Sequence, residues 1–197
     1  HNIAITGGSP KISYRMSAGI VNNDGILATN KDSFKRYNVS SYIRSDLYSW
    51  ITPELDIKYT KSKYTMPYTT SSYGIWGGAV AFPSYFPLGN MELDGESLPI
   101  NTPRNFIELS APKTNEYNNL RVLGRVTLKP LKGLNIISEY TFNKKNRDIT
   151  SFDKKFEYAH GANFRKEQSV SNSKYEVESR CTDYNAVNIY ANYNKTI

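Results

Sequence analysis

Apolar and polar residues alternate over residues 11–21, and this period of two constrains the fold more than any other feature of the sequence. The residues of one face are apolar: Ile12, Tyr14, Met16, Ala18 and Ile20. Those of the other face are polar or small: Ser13, Arg15, Ser17 and Gly19. Successive side chains of a β-strand point to opposite faces, whereas a helix repeats about every 3.6 residues. We therefore predict a strand with one apolar and one polar face.

The same alternation recurs along the chain and predicts seven strands and no helix. The predicted strands are residues 2–6, 11–21, 37–47, 55–60, 120–129, 134–143 and 187–194. The 16 Tyr residues agree with this interpretation, because aromatic residues favour strands. The sequence therefore predicts an all-β fold.

The connections between these strands are alternately short and long. Residues 7–11, 48–54 and 130–133 form the short ones, and residues 22–36, 61–119 and 144–183 the long ones. Successive connections of an antiparallel up-and-down sheet lie at opposite ends, and outer-membrane barrels combine short periplasmic turns with long extracellular loops. Structureless loops beyond about 12–15 residues are uncommon in compact soluble domains. We therefore predict antiparallel up-and-down strands that form part of a large transmembrane β-barrel.

The two faces of the predicted strands differ in the way such a barrel requires. The polar face would line a wet lumen; its charged and polar residues include Arg15, Arg44, Arg121, Arg125, Glu139 and Asn192. The apolar face would meet lipid, with aromatic residues near the strand ends: Trp50 beside a short turn, and Tyr37, Tyr59 and Phe142 towards the long loops. A soluble two-sheet sandwich shows the same alternation, so the loop lengths decide between the two.

Composition excludes several other classes. The 197 residues contain no run near the ~20 apolar residues of a spanning helix, which excludes a helical membrane protein. Cys181 is the single cysteine, which excludes a disulfide framework within the chain. The two histidines, His1 and His160, favour neither a metal site nor a cofactor nor an enzyme. Because bacterial barrels have at least about 8 strands, we expect residues 1–197 to be a piece of a larger barrel.

Several blocks of the sequence resemble the SusC/RagA family of TonB-dependent outer-membrane transporters of the Bacteroidetes. They are HNIAITGG at residues 1–8, ISYR at 12–15, NNDGIL at 22–27 and FKRYNV at 34–39, followed by TPEL at 52–55 and YNKT at 193–196. The resemblance implies a barrel of about 22 strands with an N-terminal plug. It also implies energy input through TonB, a SusD-like lipoprotein that closes the extracellular mouth, and import of a glycan or peptide across the cell outer membrane. This chain would then be barrel wall in contact with lipid and lipopolysaccharide.

Two loop segments contain candidate site residues. Aromatic side chains in the longest loop could stack on sugar rings, and the candidates for substrate binding are Tyr73, Trp76, Tyr85 and Phe86. The alternative is that these rings pack the loop against itself. Glu92, Asp94 and Glu96 could act as paired carboxylates, although a solvated turn explains them as well.

Two alternatives remain beside the transporter. A secreted soluble β-sandwich could bind carbohydrate through the aromatic loop, and a β-rich glycoside hydrolase could use the three carboxylates. Basic and aromatic residues within 144–166 are typical of a single-strand nucleic-acid platform, but acidic residues interleave with them. We therefore expect no nucleic-acid partner.

Overall fold

A computed structural model of the chain describes residues 1–27, 29–46, 48–68, 77, 80, 82, 88–160 and 165–194. The strands of these ranges are β1 (Asn2–Ser9), β2 (Ile12–Asp24), β3 (Ser33–Ser45), β4 (Ile51–Tyr68), β5 (Asn90–Leu93), β6 (Glu96–Pro99), β7 (Ala111–Leu131), β8 (Leu134–Asp153), β9 (Glu157–His160), β10 (Arg165–Gln168) and β11 (Lys174–Tyr193). A short helix, α1 (Pro103–Leu109), precedes β7.

The long strands of the described ranges form one seven-stranded sheet in the order β1-β2-β3-β4-β7-β8-β11. Every neighbouring pair is antiparallel. This confirms the predicted all-β fold with up-and-down strands, and each predicted strand lies within or overlaps one of the seven. Leu47, the last residue of the predicted third strand, lies outside the described residues.

The predicted long loops are too long, because four strands continue far beyond their alternating segments. β4 extends to Tyr68, β7 begins at Ala111, β8 extends to Asp153 and β11 begins at Lys174. The corrected long connections are residues 25–32, 69–110 and 154–173. The added strand segments are mostly polar, with scattered apolar residues such as Tyr64, Phe152 and Val177, so no clear alternation marks them, yet their backbone groups still pair in the ladder.

The prediction that the chain contains no helix is also wrong. Thr102 caps α1 with its hydroxyl, which accepts a hydrogen bond from the Asn105 backbone N–H at 3.2 Å, and Pro103 occupies the first helical position. Proline is well suited to that position because its missing N–H has no partner there in any helix. Among the described residues, no helix is both long and apolar enough to cross a membrane.

One face of the large sheet carries a continuous apolar band. Paired positions such as Ile5–Met16, Ala18–Val39, Ile57–Val122 and Val187–Tyr140 place the apolar residues of all seven described strands on the same face. The exposed fraction is 66% for Ile3, 52% for Val39 and 71% for Ile189. No described residue packs over this band, and none of its residues is buried.

The buried apolar residues of the described ranges lie instead among the long connections. They are Leu98, Ile100, Phe106, Tyr158 and Ala159, with Ala111 at the start of β7. The Phe106 ring makes edge contacts with Tyr158, at 5.0 Å between centroids, and with Phe156, at 5.3 Å. The connections before β7 and after β8 therefore pack together, as expected if all long connections lie at one end of the sheet. We call residues 88–110, 154–160 and 165–173 the loop cluster.

Lys31 ties the connection between β2 and β3 to this loop cluster. Its ammonium donates hydrogen bonds to the carbonyl oxygens of Ile107 at 3.2 Å, Glu108 at 2.5 Å and Ser110 at 2.7 Å. These carbonyls lie at the C-terminal end of α1, where unpaired acceptors and the helix dipole favour a cation. Burial lowers the pKa of Lys31, with a further lowering by the charge of Lys154.

Thr102→Ala removes the cap of α1, and we expect the helix to unfold locally more often. The lost hydrogen bond costs about 1 kcal/mol, which raises amide hydrogen exchange at Asn105 and Phe106 about fivefold. Thr102→Ser keeps the hydroxyl and should exchange at nearly the wild-type rate. Equal exchange in all three proteins would show that the cap does not hold α1.

Candidate functional site

The polar face of the large sheet is the candidate functional site. The register places all of the predicted lumen residues on this one face: Arg15, Arg44, Arg121, Arg125, Glu139 and Asn192. Directly opposed residues of an antiparallel pair share a face, so the pairing of each strand with its neighbour fixes this common face. The six residues were expected together, and the structure brings them together.

An ion-pair network crosses this face near the short turns. Glu54 accepts a hydrogen bond from the Tyr42 hydroxyl at 2.9 Å and lies 3.9 Å from Arg44 and 3.5 Å from Arg125, measured between charged atoms. Arg125 Nε in turn donates to Glu139 at 2.6 Å. The network therefore links β3, β4, β7 and β8.

Further contacts extend the network at both of its ends. Arg44 forms a two-point contact with Asp46, at 3.1 and 3.2 Å, and Thr52 donates to the same carboxylate at 2.7 Å. At the other end the Tyr190 hydroxyl of β11 contacts Glu139 at 3.4 Å. Ion pairs and side-chain hydrogen bonds thus run from the end of β3 across to the last strand of the sheet.

Glu54 is the residue on which this network depends, and it was missing from the sequence-based set. Its side chain is only 11% exposed and lies between two arginines. The predicted fourth strand began at residue 55, one position too late to include it. The sequence could have indicated Glu54, because it lies two residues before Asp56 and four before Lys58 and therefore shares their polar face.

Towards the long connections the same face becomes basic. Lys58 lies directly opposite Arg121, and Arg147 lies directly opposite Arg180. Like charges at directly opposed positions repel each other. Each of two nearby acidic residues forms an ion pair with one cation: Asp56 lies 3.2 Å from Lys58, and Glu178 lies 3.6 Å from Arg180.

The predicted aromatic binding residues, Tyr73, Trp76, Tyr85 and Phe86, lie outside the described residues. The carboxylates Glu92, Asp94 and Glu96 belong to the β5–β6 hairpin, whose turn is Asp94-Gly95, both with positive φ. Glu96 pairs with Lys166 at 2.5 Å. The interpretation of this segment as a turn is therefore confirmed.

Lys166 joins the hairpin to β9 through a second ion pair. Its ammonium lies 2.8 Å from the Glu157 carboxylate, and the Lys166 hydrogen bond holds the pKa of Glu157 below its usual value. The same two carboxylates raise the pKa of Lys166. The acidic and basic residues of this region thus form ion pairs with one another, while residues 144–153, which were predicted to belong to a long loop, form part of strand β8.

The chain matches no protein-family model, and a search of curated proteins found no match to it. In the described part of the chain, no three acidic, histidine or cysteine side chains are arranged to hold a metal ion. Cys181 is exposed on β11.

Glu54→Ala should destabilise the sheet by about 2 kcal/mol, because it leaves two arginines without their shared carboxylate and Tyr42 without its acceptor. Glu116→Ala is the matched control. Glu116 is 34% exposed and pairs with Lys63 alone, so its loss should cost less than about 1 kcal/mol. Denaturant-induced unfolding measures both values, and equal losses would contradict a special role of Glu54.

Proposed function

We propose that this chain is a wall segment of an outer-membrane transporter barrel that takes up glycans or peptides. The main support is the apolar band, which is exposed on one face of the sheet while the opposite face contains an ion-pair network. A soluble monomer rarely exposes an apolar patch larger than a few hundred Å², whereas a barrel wall places such a band against lipid.

The height of the band supports contact with a bilayer. On β2 it extends from Ile12 to Ile20, on β7 from Leu120 to Leu128, and on β8 from Leu134 to Phe142. Eight residues span about 26 Å along a strand, and a barrel tilt of about 40° reduces this to about 20 Å. The apolar band of outer-membrane barrels is about 25 Å tall, so the dimensions agree.

Residues at the two borders of the band also fit a membrane. Tyr37 and Tyr59 lie at the border near the long connections, and Lys35 and Lys61 follow immediately on the same face. Tyr48 and Trp50 stack beside a short turn at the opposite border, 6.1 Å between ring centroids. Aromatic rings and lysines are favoured at membrane–water interfaces.

The edges of the sheet support a larger assembly. Within the described residues, β1 and β11 each pair on one side alone. An open edge in lipid leaves backbone groups unpaired at a cost of several kcal/mol each, so a barrel wall would continue on both sides. We propose further strands there, together with the plug, TonB contact and SusD-like lid that the resemblance to the SusC/RagA family implies. The proposal assigns no catalytic step to this chain.

Spin labels on neighbouring residues test the proposal. Val187 belongs to the apolar band and Asn188 to the polar face of β11, and each is replaced by Cys in a Cys181→Ser background. In outer membranes, the label at 187 should be relaxed by lipid-soluble oxygen and the label at 188 by a water-soluble nickel chelate. A soluble sandwich would shield the label at 187 from both reagents, and relaxation of that label by the nickel chelate would place the band in water.

Arginine substitutions on adjacent residues of β7 give an energetic test. Val122 lies in the apolar band, and Leu123 lies on the polar face opposite Asp56. Val122→Arg should lower the free energy of unfolding in lipid vesicles by about 2–4 kcal/mol, because the charge must enter hydrocarbon. Leu123→Arg should cost less than about 1 kcal/mol on a wet face. Similar losses for the two variants would contradict a lipid-facing band.

A further inference from the structure

An open cavity of about 590 Å³ lies on the polar face, over strands β2, β3 and β4. The lining also contains apolar residues, among them Ile20, Val21 and Val39. Its polar side chains on this face are two cations, three hydroxyls and two amides: Arg36, Lys58, Ser17, Ser40, Thr60, Asn2 and Asn38. None of the described lining residues is Asp or Glu, so the charged side chains of the lining are all positive.

The two cations lie at opposite ends of this cavity. Lys58 is directly opposite Ser40, four residues along β3 from Arg36, which corresponds to about 13 Å. Arg36 forms no ion pair with a described residue, and Lys58 has a single acidic neighbour, Asp56. Arg121, directly opposite Lys58 on β7, adds a third positive charge without a described acidic partner. A ligand that reaches both ends must therefore be extended and anionic.

The groups between the cations retain hydrogen-bonding capacity. The Ser17 and Ser40 hydroxyls share one hydrogen bond at 2.7 Å, and Thr60 donates to Asn38 at 3.2 Å. One serine proton and both amide protons of Asn38 remain free to donate to a ligand. This mixture of donors and acceptors matches the hydroxyl groups of a sugar.

We propose that this cavity binds an anionic oligosaccharide whose sugars carry carboxylate groups. Arg36 and Lys58 hold carboxylates at the two ends, and the hydroxyl and amide side chains between them contact the sugar hydroxyls. A peptide fits less well, because β2, β3 and β4 are interior strands whose backbone groups are already paired and cannot capture a peptide backbone. The inference rests on the proposed function, in which this face lines the lumen.

Binding to the full-length protein in detergent tests the inference, with short oligogalacturonates and alginate oligosaccharides as probes. Arg36→Gln combined with Lys58→Gln should weaken both by at least about tenfold, which is the scale of one charge-assisted contact. The control combines Lys35→Gln with Lys61→Gln. It removes the same charge from the same two strands, at nearby positions on the opposite face, and should change affinity less than about twofold. Free galacturonic acid should bind far more weakly than its oligomers, because one sugar cannot reach both cations.

Several results would overturn the inference without touching the proposed function, which the spin labels at 187 and 188 decide separately. Failure of both acidic glycans to bind would exclude the site, and equal losses in the two double variants would reduce it to an effect of net charge. Binding of oligoglutamate as tight as that of the glycans would indicate an acidic-peptide site. Equal binding of neutral malto-oligosaccharides would show that the cations do not select the ligand.

Discussion

The register of the backbone hydrogen-bond ladder is the constraint on which the rest of the structure depends. Directly opposed residues of each antiparallel pair share a face, so the apolar faces of neighbouring strands line up, and a slip of one residue would exchange the two faces of a strand. The ladder has a register shift between Leu128 and Leu131, beside the turn at residues 132–133. Because this shift lies at the end of the apolar band, the band and the Glu54 network both remain intact.

The backbone hydrogen-bond ladder extends further along the strands than the apolar band does. The ladder between β8 and β11 continues to Asp153 and Lys174, well past the apolar band, and near its end it includes the aromatic pair Phe152–Tyr175, with ring centroids 6.4 Å apart. Hydrogen bonds between backbones do not require apolar side chains, so these polar extensions form stable strands that carry the loop cluster. The loop cluster then acquires a small core of its own around Phe106, and Lys31 fastens it to the connection after β2.

Charge is distributed unevenly along the polar face. Near the short turns, Glu54 and Glu139 are each held by arginines at distances of 2.6–3.9 Å, so positive and negative charges largely balance. Further from the short turns, opposed cations such as Lys58 and Arg121 leave an excess of positive charge. In a lumen, this arrangement would draw an anionic ligand to the basic end, and the balanced network would stiffen the wall beneath it.

Local polarity patterns in the sequence specify the strands of the apolar band, their two faces and the alternation of short and long connections, because a period of two is a local property. They also place Arg44, Arg125 and Glu139 on one face. Which of these residues meet depends on the tertiary structure, since Glu54 joins Arg44 and Arg125 across three strands. The tertiary structure likewise decided how far the strands extend and how the long connections pack. These features depend on pairing between distant segments, which no local pattern of polarity encodes.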